Sequence, residues 1–133
     1  MAKLIKLRKW EEKCYQAGLS SDFLEKYKEQ VQEAKIKRAV VKENTLNTAK
    51  QIACALIKNQ LADKVYLFGS FARDDYNEKS DLDLYVIGRK GDTGEIYKIA
   101  ERLCRDRRVS MVFEEDNVPW IEEIINREGI DLC

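Results

Sequence analysis

A chain of 133 residues with 44% hydrophobic content is long enough for one domain with a real core and too short for two large ones. Lys+Arg and Asp+Glu are both 24, so no overall field draws the protein toward nucleic acid or an anionic membrane surface. There is no histidine, and Cys14, Cys54, Cys104 and Cys133 form no C-x-x-C pair, which argues against a zinc site and for a cytoplasmic protein with reduced thiols.

The N-terminus, Met1 to Leu7, alternates charged and apolar side chains, so it is neither a signal peptide nor a membrane span. Residues 1–44 hold 11 basic and 7 acidic side chains against 13 and 17 in residues 45–133, a mildly cationic arm before a mildly anionic body. From Ser20-Ser21-Asp22 onward, Leu24, Tyr27, Val31, Ala34, Arg38 and Val41 recur at helical spacing. The charges on this helix mix both signs. That favours a solvated helix laid against the body, a second copy or a separate helical protein, and argues against a nucleic-acid-binding arm. A break or bend is expected at Asn44-Thr45. Leu46, Ala49, Ile52, Ala53, Leu56 and Ile57 then give a second helix with a buried face.

Beyond this point strands and helices alternate. Val65-Tyr66-Leu67-Phe68 is a short strand ending at Gly69, followed by a polar stretch through Ser80. Asp81 to Ile87 alternates with period two and closes at Gly88. A helix starts at Thr93-Gly94, with Ile96, Ile99, Ala100 and Leu103 on one face. Val109 to Phe113 is a third strand. Asn117-Val118-Pro119 opens a last helix through Ile121, Ile124 and Ile125, with Gly129 near its stop. The fold class is therefore α/β (α+β), a small mixed sheet flanked by helices, with residues 1–44 as a helical extension and 45–133 as the body.

The chemistry concentrates between Leu67 and Leu84. Asp81 and Asp83 are two apart on a strand, so they project from one face, with Cα atoms ~6.6 Å apart. Two carboxylates this close repel unless a cation lies between them, and carboxylate oxygens are the ligands Mg²⁺ prefers. Gly69, at a strand end, lets backbone N–H groups approach a phosphate. The Ser70 hydroxyl can donate to the same group, and Arg73 can add charge. A lone Gly-Ser is usually a turn and a lone Asp-x-Asp usually a solvated strand. Strand, Gly-Ser, ten residues and Asp-x-Asp at the head of a second apolar strand is a much rarer conjunction.

This combination resembles the minimal nucleotidyltransferases of the DNA polymerase beta superfamily, whose signature is Gly-Ser, a spacer of this length and Asp-x-Asp. The similarity runs closely from Phe68 to Val86 and, by order of elements, from Leu46 to Arg127. It implies the nucleotidyltransferase fold, with Asp81 and Asp83 holding Mg²⁺ or Mn²⁺. Gly69, Ser70, Arg73 and Ser80 would bind the phosphates of a nucleoside triphosphate such as ATP. An acceptor hydroxyl would attack the α-phosphorus and pyrophosphate would leave.

One position departs from the pattern. The family uses a third carboxylate on the strand after the intervening helix, where this chain has Val109-Ser110-Met111-Val112, so Ser110 stands in its place. A serine hydroxyl is a poor ligand for such a metal and no base at neutral pH. Glu114 lies four residues further, ~13 Å along an extended strand, and Asp106 lies before it. Asp74 also stands where small members often have glycine. Two functions remain open: an enzyme completed by Asp81 and Asp83 alone or with Glu114 or Asp106, and an antitoxin-like binding module that keeps the fold and engages a small helical toxin-like protein. Tyr85, Trp10 and Trp120 read as packing residues. Arg102, Arg105, Arg107 and Arg108 read as a basic group complementing a helix C-terminus.

Overall fold

The computed structural model describes residues 21–133; Met1 to Leu7, Trp10, Cys14 and the expected helix cap at Ser20 lie outside them. The chain divides into two compact units, Met1–Val41 and Lys42–Cys133. Helix α1 spans Ser21–Lys58, and the break expected at Asn44-Thr45 does not occur. Two local features explain this. The Thr48 hydroxyl donates to the Asn44 carbonyl at 3.0 Å, one turn back, and Thr45 is only 4% exposed.

Within the first unit Leu24 is buried, whereas Phe23, Tyr27, Ile36 and Val40 are exposed. In the second unit α1 turns Ala49, Ile52, Ala53 and Leu56 fully inward. The spacing of these four residues is the apolar face legible in the sequence.

The remaining elements are β1 (Lys64–Phe68), α2 (Ser70–Arg73), β2 (Leu82–Ile87), α3 (Thr93–Leu103), β3 (Val109–Phe113), a 3-10 turn (Glu114–Asp116), α4 (Ile121–Glu128) and β4 (Ile130–Asp131). Three details depart from expectation. The polar stretch after Gly69 begins with the short helix α2, and the chain adds a two-residue strand, β4. The last helix starts at Ile121, with Trp120 as its N-cap and 52% exposed, so this tryptophan is not a packing residue. Helix α3 starts at Thr93 as the sequence indicated, and the Asp92 side chain caps it by accepting from the Gly94 N–H.

The sheet order is β3-β2-β1-β4, with β1 antiparallel to β2 and β4 and β2 parallel to β3. This mixed sheet is covered on both faces, which is why the alternation at the start of β2 gives way to the continuous apolar run Leu84-Tyr85-Val86-Ile87. Val65, Leu67, Leu82, Leu84 and Val86 are fully buried in the main core, as are Ile96 and Ala100 of α3. On the opposite face, Phe68, Tyr85 and Ile121 form a second cluster, flanked by Tyr66, Ile87, Val112, Ile124 and Ile125. Helix α4 thus lies over the face that carries Asp83, because Asp83 and Tyr85 are two apart on β2. None of the described helices is long and apolar enough to cross a membrane.

The expectation of reduced thiols is overturned for one pair. Cys54 of α1 and Cys133, 79 residues apart in sequence, are joined by a disulfide with Cα atoms 5.5 Å apart. Their spacing along the chain gave no sign of this because the pairing is made by the fold. Cys104 is free and buried.

A bridge across so long a loop constrains the unfolded chain, so reduction or Cys133→Ser is expected to lower the unfolding free energy by about 2–4 kcal/mol. Urea melts with and without dithiothreitol check this, and superimposable curves would show that the two thiols are not paired.

Candidate active site

The site is assembled by strand register. Phe68 of β1 is paired with Asp83 of β2, and Asp83 in turn with Ser110 of β3. Gly69 therefore leaves the sheet directly beside the Asp83 carboxylate. A Cβ built on Gly69 would lie 2.2 Å from Asp83 Oδ2, and Gly69 adopts φ 78°, ψ −154°, a region open essentially to glycine alone. Two independent constraints, steric and conformational, thus require glycine here. The steric one arises because the backbone after β1 and the carboxylate of β2 are in contact.

Ser70 opens α2, which packs through the buried Phe71 and ends at Asp74. Asp74 takes φ 68°, a left-handed conformation that aspartate is among the few side chains to tolerate. Its carboxylate pairs with Lys42 at 3.0 Å. Arg73 is half-exposed. Its Nε meets Asp75 Oδ2 at 3.0 Å and its Nη1 meets Glu128 Oε1 at 3.3 Å.

Asp83 is the electrostatically unusual group. Its carboxyl is pushed up to about 6, first by burial and then by the charge of Asp81, with Glu128 acting in the same direction and Arg73 opposing. Such a pair suits a divalent cation, which would remove both the burial cost and the mutual repulsion. By this test Asp81 and Asp83 fit a metal, as a two-carboxylate set; among the described residues no group of three His, Cys, Asp or Glu side chains is arranged to hold one.

The other sequence candidates are distributed as follows. Ser110 sits in the register position beside Asp83 and is partly buried. Ser80 closes a turn, its hydroxyl accepting from the Asn77 N–H at 2.8 Å and its own N–H donating to the Asn77 carbonyl. Glu114 begins the 3-10 turn at the far end of β3, four residues beyond Ser110. Asp106 is largely exposed and lies beside Cys104 and Arg107. The strand geometry therefore brings Gly69, Asp83 and Ser110 into one neighbourhood and leaves Glu114 outside it. Tyr85 is 3% exposed within the α4-facing cluster, which makes it a packing residue.

Two residues matter here that the sequence did not mark. Arg107, grouped above with helix-terminal bases, lies beyond the end of α3 with its side chain 8% exposed. Its guanidinium lies over the Phe71 ring at 4.7 Å and its Nη1 donates to the Ser80 carbonyl at 3.1 Å. One buried cation thereby links the residue after Ser70 to the residue before Asp81. Glu128 ends α4, where its charge opposes the helix dipole. Its side chain is 9% exposed, and Oε1 accepts from the Gly69 N–H at 3.4 Å as well as from Arg73. An acid at a helix C-terminus was the available signal.

Residues 50–133 match the family described as "Polymerase beta, Nucleotidyltransferase". The chain belongs to this family. It is 40% identical over 79 residues to the protein named "Putative protein adenylyltransferase MJ0141" of Methanocaldococcus jannaschii, a match covering 53% of this chain and 79% of that one. A crystal structure of a "putative nucleotidyltransferase" from Sulfolobus solfataricus matches with 20% identity and a TM-score of 0.47, covering 71% of this chain and 84% of that one. In this nucleotidyltransferase domain the Gly-Ser segment follows the end of β1 and the Asp-x-Asp segment leads into the start of β2.

The raised Asp83 value carries a stability prediction. An aspartate that holds its proton more tightly when folded than when unfolded destabilises the fold as pH rises from about 4 to about 6, and the penalty persists above that window. Asp83→Asn is therefore expected to stabilise the metal-free protein at pH 7 by about 1 kcal/mol, a figure reduced for solvent screening of a half-buried group. Thermal melts at pH 4 and pH 7 measure the difference. An equal or lower melting temperature for Asp83→Asn at pH 7 would contradict it.

Proposed function

We propose that this chain transfers a nucleoside monophosphate from a nucleoside triphosphate to an acceptor hydroxyl, releasing pyrophosphate. The observation that carries the reading is the contact between Gly69 and Asp83, where a glycine-serine turn lies against a carboxylate already burdened by a second one. In the reaction the acceptor oxygen forms a bond to the α-phosphorus, the bond from the α-phosphorus to the β-phosphate oxygen breaks, and the hydroxyl proton passes to solvent. The Gly69 N–H, the Ser70 hydroxyl and the Arg73 guanidinium hold the terminal phosphates, with Ser80 at the edge of the same cradle. Asp81 and Asp83 would hold Mg²⁺ or Mn²⁺, which supplies neutralisation of phosphate charge and activation of the attacking oxygen. No nucleophilic side chain is needed, because catalysis of this type rests on positioning and electrostatics.

The name of the Methanocaldococcus jannaschii relative suggests ATP as the donor and a protein hydroxyl as the acceptor. The mixed charges of residues 1–44 and the exposed Ile36 and Val40 of α1 fit a helical protein partner or a second copy of the chain better than a nucleic acid. We place the reaction in the cytoplasm, where nucleoside triphosphates are abundant.

Ser110 favours a second reading. It occupies the strand position beside Asp83 where a further carboxylate would complete the charge balance. Without one, triphosphate binding survives and turnover falls, which describes a nucleotide-binding or antitoxin-like module.

Both readings share one expectation. Calorimetric titration should show tighter triphosphate binding with Mg²⁺ than with EDTA, and Asp83→Asn should abolish that difference. Equal affinities for the wild type would overturn the metal assignment. The readings separate at Ser110→Asp, which restores a carboxylate on the correct face. If Ser110 limits turnover, transfer of radiolabelled nucleotide should rise at least tenfold, about 1.4 kcal/mol of barrier. A wild type that is already fast and insensitive to the substitution would show that another carboxylate completes the site.

A further inference from the structure

We propose that Glu128 is a built-in competitor for the phosphate cradle: its carboxylate occupies the place a triphosphate oxygen would take. The inference rests on the reading of Gly69 and Arg73 as phosphate-binding groups, and concerns how their occupancy is controlled.

Two donors of that cradle, the Gly69 N–H and the Arg73 guanidinium, already have a carboxylate partner. A single oxygen, Glu128 Oε1, receives the Gly69 N–H at 3.4 Å and Arg73 Nη1 at 3.3 Å. A backbone N–H and a guanidinium converging on one anionic oxygen is the arrangement a phosphate oxygen would accept, and carboxylate and phosphate share it. Glu128 is inserted into this place, being 9% exposed where Arg73 is 48% exposed. The second acid on Arg73, Asp75, leaves the guanidinium with little uncompensated charge for an incoming polyphosphate.

The way the chain delivers Glu128 is also specific. The residue ends α4, and Gly129 then closes the helix through its N–H to the Ile125 carbonyl at 2.8 Å. A Cβ on Gly129 would lie 2.5 Å from that carbonyl oxygen, so only glycine allows the turn. The tail immediately joins the sheet, with Ile130 paired to Leu67 and Asp131 to Tyr66, and is tied to α1 through Cys133. Glu128 is thus fixed at both ends beside Gly69, in a position that opposes its own helix dipole. Charge adds to the competition. Glu128 and Asp83 both lie against Gly69, Asp81 acts on Asp83 as a further like charge, and an uncomplexed triphosphate meets the same acids. A triphosphate must therefore displace the Glu128 carboxylate from Gly69 and Arg73 before it can use them.

The experiment compares wild type with Glu128→Gln, which keeps shape and removes charge, and with Glu128→Ala, using MgATP and inorganic tripolyphosphate as probes in calorimetric titration. Thermal melts of each variant confirm that it is folded. The proposal expects both variants to bind both probes at least fivefold more tightly than wild type, with the larger gain for tripolyphosphate, which contacts the cradle alone. Loss of a merely structural ion pair would not tighten binding. Wild-type binding that is unchanged or weakened in Glu128→Gln would overturn the competitor role and make Glu128 a support for Arg73, leaving the nucleotide reading intact. Absence of binding of either probe to wild type and both variants would overturn the competitor and the nucleotide reading together.

Discussion

The contact between the Gly69 backbone and the Asp83 carboxylate is the constraint on which the rest of the site depends. It exists because β1 and β2 pair antiparallel with Phe68 opposite Asp83, so the chain must leave β1 where the acid of β2 projects. Any side chain at Gly69 would collide with that acid, and its backbone angles exclude one independently. From this contact follow the placing of Ser70 at the start of α2, the partial burial that raises the Asp83 carboxyl, and the position of Ser110 one strand further on.

The surroundings of this contact hold opposing charges at close range. Burial and Asp81 make an ionised Asp83 costly, while Arg73 lowers that cost and Glu128 raises it again. Held without a cation, the cluster stores an electrostatic penalty that a bound divalent ion and polyphosphate together would relieve. Arg107 contributes from beneath. By joining the Phe71 ring to the Ser80 carbonyl it fixes the two motif halves to each other through a buried cation, so the spacer between them is free to be polar and exposed. The stability lost at Asp83 is offset by the core on the other face of the sheet, where Leu82 and Leu84 are fully buried.

Much of this was legible in the amino-acid sequence for physical reasons. The period-two alternation of Asp81 to Ile87 showed which side chains face the core, and the spacing of Ala49, Ile52, Ala53 and Leu56 showed the buried stripe of α1. The Gly-Ser and Asp-x-Asp segments carried the family resemblance. What stayed hidden depends on contacts distant in sequence. Thr45 looked like a breaker because its burial is a tertiary property. The Cys54–Cys133 bond joins residues 79 apart, and β4 is too short to show an alternation. Arg107 was indistinguishable from its basic neighbours until its side chain was seen beneath Phe71. Glu128 became part of the site only when α4 was found to end against Gly69.

The central claim, that this site moves a nucleotide and not a phosphoryl group, is tested most directly by supplying the protein with Mg²⁺ and either α-labelled or γ-labelled ATP together with candidate protein acceptors. Wild type and Ser110→Asp are assayed side by side, with Asp83→Asn as the blank. The account predicts that label from the α-phosphate becomes covalently attached to acceptor, that label from the γ-phosphate is released with pyrophosphate, and that Asp83→Asn abolishes attachment. Attachment of the γ-label, or α-label attachment undiminished in Asp83→Asn, would contradict it.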